Sequence, residues 1–420
     1  MTTVAQAPPK GYRTIRLPLA EHEYARFLTD RPYAKARLQE IYEDSPELFP
    51  EAFPWGYVLY GFTDPSCQQH LRCRRLRLNE TQDVFTVAPA FVMPSRSGRV
   101  EDVEKALLLM RFHVPCWAIA YVLGHDAMYG DRLQQGLGRF SLVGTTVKTA
   151  ESLPTDLVAD EKHRWLKGKR VSIATTAGQD CLVGAAVSKS ASQPDLTRAY
   201  GVFAGEAQAL DEDYAPHTVH TDGWQATQGA WKALFPKMTV ILCFLHAFLK
   251  MRDRATQALS EVFEQVQERV WEAYHASSKR AFSQRLRRLR AWAEGVFPDS
   301  AMKTPTLDLC DKRAQFSQSY DHGSAHRTSN RVDRLMKFLD RACLNGQYFP
   351  GTFEAAESRG RALALLGNFC PSSPSTVSKY HGQACPAERL NGKRYAENWL
   401  ENLLVSGSMN GVEMDQQIPL

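Results

Sequence analysis

The chain has 420 residues, of which 44% are hydrophobic and 23% charged, with a formal net charge of +5. This balance excludes disordered, fibrous and collagen-like proteins and allows two or three hydrophobic cores. No apolar run reaches about 18 residues, and the first residues include no hydrophobic segment. We therefore expect neither a membrane span nor a signal peptide and favour a cytoplasmic protein. Nine scattered cysteines indicate reduced thiols rather than a disulfide framework.

The first region, residues 1–98, gives few structural signals. Residues 1 to about 65 are rich in proline and aromatics without a clear period, and they receive no assignment. An arginine-rich stretch then precedes the alternating run 83–87, which predicts a strand in a small β unit. Cys67, His70 and Cys73 lie close enough in sequence for a zinc site, although no fourth ligand is evident. Free thiols in the β unit are the alternative.

The second region, residues 99–150, predicts three short helices. The run 100–112 has a helical stripe of apolar residues, Pro115 suits the start of a helix over 116–123, and 127–137 can form the third. A short helix, a turn with Gly124 and a second helix make a helix-turn-helix pattern. Gly130 weakens the pattern, and a small helical bundle is the alternative. The residues expected to face a DNA major groove are Tyr129, Arg132, Gln134 and Gln135.

The third region, residues 151–370, predicts an α/β domain. Strands are expected over 156–165, 170–176 and 181–187, the last two joined by a hairpin turn. A helix over 196–210, a strand ending at Asp222, another helix and the apolar run 238–245 follow. This is the order of a ribonuclease H-like mixed sheet, with one acid on the first strand and another after the fourth. Asp160 and Asp222 occupy those two positions.

Four short motifs in this order resemble those of bacterial insertion-sequence transposases, specifically the mutator-like branch of the DDE type. They are Leu157-Val158-Ala159-Asp160-Glu161, Thr221-Asp222-Gly223-Trp224, Cys243-Phe244-Leu245-His246 and the run from Arg327 to Leu335. The resemblance covers about residues 154 to 370, and the segment 386–391 is also similar. It implies a transposase that nicks the ends of a mobile element and joins the freed 3′ hydroxyl to target DNA.

The resemblance also implies a catalytic, metal-binding triad of Asp160, Asp222 and Asp333. Such carboxylates hold two divalent cations, Mg²⁺ or Mn²⁺, about 4 Å apart, for phosphoryl transfer. Asp333 stands where the family has Glu and is one methylene shorter, so Glu354 and Glu357 are reserve candidates. Glu161 replaces Asp160 if the strand register is shifted by one residue.

The segment between the second and third acids predicts a helical insertion at about 247–325. Helices are expected over 254–274 and 278–292, and the second is strongly basic. Basic clusters on helices suit phosphate backbones, and a solvated helix face is the alternative. The candidate DNA-binding residues are Arg132, Gln135, Arg285, Arg287, Arg288, Arg290, Arg327 and Arg331. Cys243 and His246 are expected to pack or orient the site rather than to bind zinc.

The last region, residues 371–420, predicts a linker over 370–378 and an amphipathic helix marked by Tyr395, Trp399 and Leu403. The sequence leaves open whether that helix packs on the catalytic domain or on another subunit. The resemblance implies DNA as partner, a homo-oligomer and a nucleoid-associated location in a bacterial cytoplasm. Two other functions remain open: a catalytically inactive, transposase-derived DNA-binding protein, and a ribonuclease H-like nuclease without strand transfer.

Overall fold

The structure is a computed structural model that describes residues 10–94, 98–126, 128–296, 301–323, 341 and 351–411. It is a mixed α/β protein with two mixed sheets, one of four strands and one of five. The α/β class predicted from the sequence is therefore confirmed. No helix within these described ranges has the length and apolar character that crossing a membrane requires.

The N-terminal unit consists of a four-stranded sheet covered on one face by two helices. Its elements are β1 (Thr14–Leu17), α1 (Glu21–Thr29), α2 (Arg31–Asp44), β2 (Tyr57–Phe62), β3 (Arg74–Leu78) and β4 (Val84–Pro89). The strand order is β1-β4-β3-β2, with β1 parallel to β4 and the other pairs antiparallel. Alternate residues such as Leu76 and Phe85 enter a core beneath the helices. Residues 10–65, which received no assignment from the sequence, thus contain two helices and two strands.

Four helices follow: α3 (Val100–Arg111), α4 (Cys116–Leu123), α5 (Tyr129–Leu137) and α6 (Leu142–Thr146). The three predicted helices are present, and Gly124 ends α4 in the left-handed conformation that favours glycine (φ +71°). The buried side chains of α3, α4 and α5 share one core with the five-stranded sheet and with helices near residues 362–404. These helices are therefore packed into the molecule and do not form a core of their own.

The five-stranded sheet is the centre of the molecule. Its strands are β5 (Asp156–Leu166), β6 (Lys169–Gly178), β7 (Cys181–Ser188), β8 (Thr218–Thr221) and β9 (Thr239–Leu242), in the order β7-β6-β5-β8-β9. The first three are antiparallel, whereas β8 and β9 run parallel to β5. Helices α7 (Gln193–Leu210) and α8 (Gln225–Leu234) cover one face. The predicted elements are all present, within a few residues of their predicted bounds.

A helical segment follows β9, and a second helical segment closes the chain. The first comprises α9 (Phe244–Arg252), α10 (Ser260–Tyr274), α11 (Lys279–Val296), α12 (Lys303–Asp311) and α13 (Arg313–Phe316); the second comprises α14 (Phe353–Phe369), α15 (Pro374–Lys379), α16 (Pro386–Asn391) and α17 (Trp399–Ser406). Helix α10 begins at 260, not at 254 as predicted. The predicted linker contains α15, which Ser373 caps.

The end of the described chain returns to the N-terminal sheet. The backbone N–H of Met409 donates to Thr14 O (3.0 Å), and Ser408 Oγ donates to Leu48 O (2.7 Å). Val405, on α17, lies in the core of the N-terminal unit, whereas Leu404 lies in the core shared with the central sheet. The C-terminal helix therefore packs within its own chain.

Candidate functional site

Asp160 and Asp222 lie side by side at one edge of the central sheet. Strands β5 and β8 are parallel, and Val158 pairs with His220 in their register. Continuing that register by two residues brings Asp160 level with Asp222 on the same face, because side chains alternate along a strand. The sheet thus brings together two acids that are 62 residues apart in sequence.

The surroundings of Asp160 are polar and charged although the carboxyl is mostly buried. Its Oδ1 accepts from the Glu161 backbone N–H (3.0 Å), and its Oδ2 lies 3.3 Å from Lys162 Nζ. Burial raises the pKa of Asp160, Lys162 and His246 lower it, and Asp222 raises it further. An acid pressed against a second acid is stabilised by a nearby cation. In this structure, Lys162 supplies part of that positive charge.

Asp222 is held by the turn that leads from β8 to α8. Its Oδ1 accepts from the Trp224 backbone N–H (2.8 Å), and Gly223 has the positive φ (+92°) that the turn requires. Beside Asp222 is a small pocket of about 50 Å³, whose lining includes Asp308 and Lys312 of the helical segment. The sequence did not single out these two residues, since nothing in their local pattern shows that α12 reaches the end of β8.

Glu161 faces the opposite side of the sheet, towards α7 and α8. Its Oε1 accepts from Tyr200 Oη (2.7 Å) and from Thr227 Oγ1 (2.5 Å). Burial raises the pKa of Glu161 to about 7, against the two hydroxyl donors. The strand register therefore assigns Asp160, not Glu161, to the edge that Asp222 shares.

Cys243 and His246 follow β9 and begin α9, next to the same edge. Cys243 is buried at the start of the helix, and His246 lies in its first turn. The hydrogen bond with Cys243 raises the pKa of His246 to about 9, against burial, and Asp160 and Asp222 act in the same direction. His246 thus lies close enough to Asp160 to lower the pKa of that acid, which suits the orienting role expected from the sequence.

The third acid of the predicted triad, Asp333, lies outside the described residues, as do Arg327 and Arg331. The reserve candidates Glu354 and Glu357 lie on α14. Burial raises the pKa of Glu357, which interacts with the Val187 backbone N–H and with Arg361. The charged groups that act most on Glu357 are therefore different from those that act on Asp160.

The described ranges contain no group of three or more His, Cys, Asp or Glu side chains arranged to hold a metal ion. Two of the three predicted triad members, Asp160 and Asp222, fall within these ranges. Cys67, His70 and Cys73 do not form a metal-binding group either. Cys73 is buried at the start of β3, whereas Cys67 is exposed, so the two thiols do not converge on one ion.

The predicted groove-reading face of α5 is partly wrong. Gln134 is buried, and its Nε2 lies 3.5 Å from Met110 Sδ, so it cannot reach a base edge. Ser358 Oγ on α14 donates to Gln135 O (3.3 Å), because α5 packs against α14. Arg132 is exposed but forms an ion pair with Asp126. Helix α5 is thus mainly a packing element.

The basic helix α11 is amphipathic. Phe282, Leu286 and Leu289 are buried in the core of the helical segment. Arg287 and Arg288 are exposed, whereas Arg285 donates to Glu272 O and Arg290 pairs with Glu294 and Asp311. Two of the four predicted DNA contacts on α11 are therefore already engaged within the protein.

Taken together, the fold and the site define a mixed α/β protein with one aspartate within a long strand and a second just after the end of the parallel strand beside it. Comparison with models of known protein families and with curated proteins finds no match for this chain.

Proposed function

We propose that this protein is a DNA transposase of the mutator-like DDE type, with a ribonuclease H-like catalytic domain. It would nick element ends and join the 3′ hydroxyl to target DNA. The observation that carries the proposal is the pairing of Asp160, within β5, with Asp222, which directly follows the carboxyl end of the adjacent parallel strand β8. The strand order β7-β6-β5-β8-β9, and the helical segment inserted after β9, are further support.

The donor set fits a divalent cation. Carboxylate oxygens are the ligands that Mg²⁺ and Mn²⁺ prefer, and Asp160 and Asp222 offer them at one edge. Asp333 is the proposed third ligand, with Glu354 and Glu357 in reserve. When bound, two such ions supply activation of the attacking oxygen and stabilisation of the leaving oxygen.

The protein residues around the pair would keep the acids in position. The Trp224 backbone N–H fixes one oxygen of Asp222, and the Glu161 backbone N–H fixes one oxygen of Asp160. Lys162 offsets part of the negative charge of Asp160. The exposed arginines Arg287 and Arg288 are available to DNA phosphates.

The test is nicking of a supercoiled plasmid that carries the non-coding sequences flanking this coding region, with Mg²⁺ or Mn²⁺. D160N and D222N should each lose at least about 10³-fold in rate, because an amide removes one of the charged ligands. E161Q is the matched control: it changes the neighbouring acid, which faces away, and should keep the activity. Joined plasmid products would separate a transposase from a simple nuclease.

Two outcomes would contradict the proposal. The first is the absence of any metal-dependent cleavage by the unmodified protein and by D333E. The second is full activity in D222N. If cleavage arises only in D333E, the natural protein is the catalytically inactive DNA-binding form. Mn²⁺ titration followed by electron paramagnetic resonance provides a readout independent of cleavage, since D160N and D222N should bind the ion more weakly.

A further inference from the structure

The N-terminal sheet has one covered face and one open face. The covered face carries leucine, phenylalanine and valine residues beneath α1 and α2. The opposite face, called the outer face below, carries polar, cationic and aromatic side chains. It includes Thr14, Val58, Tyr60, Arg75, Arg77 and Thr86, together with Arg16, Val84 and Ala88.

The arginines of β3 lie on both faces of the sheet. Arg74 is buried and donates to Phe27 O (2.9 Å), so it fixes the end of α1. Arg75 and Arg77 alternate with inward-facing Leu76 and emerge on the outer face. Within the described residues, neither Arg75 nor Arg77 is paired with a carboxylate. Two adjacent cations that the protein leaves without counter-charge form a site for an anionic partner.

Aromatic rings lie among these cations. Tyr60 is 44% exposed, and the guanidinium carbons of Arg77 and Arg75 lie 4.7 and 5.7 Å from its ring centroid. Phe62, at the end of the same strand, lies beside the buried Arg74 instead, with the guanidinium carbon 4.8 Å from its ring centroid. Rings that stay half-exposed beside arginines leave a flat surface on which a planar group can stack.

A cleft continues from the outer face towards α5 and the end of the described chain, with a volume of about 770 Å³. Its charged lining residues are Arg16, Arg75, Arg139 and Asp64. Arg16 is buried and donates to Val92 O (2.9 Å); burial lowers its pKa to about 10, which leaves it protonated near neutral pH. Three cations against one acid favour an anion along this cleft.

We propose that the outer face binds a single strand of DNA, with bases stacked on Tyr60 and phosphates held by Arg75 and Arg77. Arg16 and Arg139 extend the positive surface into the cleft. A duplex keeps its base faces inside the helix, whereas an unpaired strand offers both stacking faces and phosphates. The choice of DNA over RNA rests on the proposed function, because cleavage at an element end frees single strands.

The test is fluorescence anisotropy of a labelled 16-nucleotide single strand with the full chain, in EDTA so that no cleavage occurs. R75Q/R77Q should weaken binding at least tenfold and reduce the salt slope by about 1.4, since each phosphate contact on a single strand contributes about 0.7. The matched control is R26Q/K35Q, which removes the same charge from α1 and α2 on the covered side. It should change the affinity less than threefold.

Stacking is tested separately from charge. Y60A should weaken binding about tenfold, within the range for loss of one stacked base, whereas Y60F keeps the ring and should stay within twofold of the unmodified protein. Circular dichroism should show all variants folded. The inference is overturned if R75Q/R77Q and Y60A bind as the parent does, if R26Q/K35Q weakens binding equally, or if RNA or duplex DNA of the same length binds more tightly.

Failure of this inference is distinguishable from failure of the proposed function. D222N should bind the single strand as tightly as the unmodified protein, because Asp222 belongs to the other sheet. Binding without any cleavage would overturn the transposase and leave the outer face as a DNA-binding surface. Cleavage by the unmodified protein, together with outer-face variants that bind the single strand as tightly as it does, would overturn the outer-face inference and leave the proposed transposase in place.

Discussion

The two sheets of this protein place their polar chemistry differently. The central sheet is covered on both faces, so β6 and β7 are buried almost throughout, and its paired acids lie level with the end of the short strand β8. The N-terminal sheet is covered on one face, and its cations and aromatics lie across the other. A doubly covered sheet suits a small, fixed cluster of ligands at an edge, whereas an open sheet suits an extended, flat partner.

Truncation of one aromatic residue in each sheet region should give the largest contrast in stability. Trp231, on α8, is completely buried between α7 and the central sheet. W231A should lower the free energy of unfolding by about 3–5 kcal/mol because it leaves a cavity. Y60A, on the outer face, should change it by less than about 0.5 kcal/mol. Urea unfolding measures both values, and equal losses would show that the outer face is a packed surface.

Neutralising Glu161 should stabilise the protein. Burial raises the pKa of Glu161 from its ordinary value of 4.5 to about 7, so the folded state binds the proton of Glu161 more tightly than the unfolded state does. The cost of ionising it therefore grows as pH rises from about 4.5 to 7 and is fully present above 7. E161Q keeps an oxygen that can accept from Tyr200 and Thr227, and should be more stable by on the order of 3 kcal/mol at pH 8.

The stability difference between E161Q and the parent should disappear near pH 4, where both folded and unfolded chains carry a protonated Glu161. Thermal unfolding across this range, with the two proteins in parallel, measures it. A difference that does not vary with pH would mean that Glu161 is not the group that titrates.

At the β7 edge of the central sheet, one buried side-chain amide forms hydrogen bonds with the strand backbone. Asn368, on α14, is completely buried; its Oδ1 accepts from Leu182 N (2.9 Å) and its Nδ2 donates to Leu182 O (2.8 Å). N368A should lower the free energy of unfolding by about 2 kcal/mol, because it leaves these buried backbone groups without partners. Guanidinium unfolding measures the loss. In N368D the carboxylate could still accept from Leu182 N but could no longer donate to Leu182 O.

Removing the cations of the outer face should have the smallest effect on stability. Arg75 and Arg77 both lie over the ring of Tyr60, and within the described residues neither forms an ion pair with a carboxylate. R75Q/R77Q should therefore change the free energy of unfolding by less than about 0.5 kcal/mol. If urea unfolding shows a decrease in the free energy of unfolding above about 2 kcal/mol, these arginines stabilise the sheet.

The central sheet could be predicted from the sequence, whereas in the N-terminal unit the prediction reached only β4, from the alternating run 83–87. Strands β5, β6 and β7 are long, and close turns join them. By contrast, β1 has four residues and pairs with β4, about 70 positions later in the chain. One local signal was available: Asp30 accepts from Tyr33 N (3.0 Å), and Pro32 follows it, as is common where a helix begins.

The two acids at the sheet edge could be predicted because the order of the strands and helices resembles that of a ribonuclease H-like sheet, whereas the register that separates Asp160 from Glu161 could not. The burial of Gln134 could not, since it depends on how α5 packs against α3, where Met110 contacts its side chain. The same holds for Asp308, which reaches the pocket beside Asp222 through the packing of the helical segment. Local periodicity indicates which face of a helix is apolar but not which element covers the rest.

The return of the chain end to β1 has a consequence for folding during synthesis. Strand β1 leaves the ribosome long before residues 405–409 do. Until those residues have been synthesised, Thr14 O lacks the Met409 N–H that donates to it, and the core beneath α1 lacks Val405. The N-terminal unit cannot complete its native contacts until nearly the whole described chain has emerged. We therefore expect the last step of folding to bring β1 and residues 405–409 together. We do not expect a final domain that folds independently of the rest.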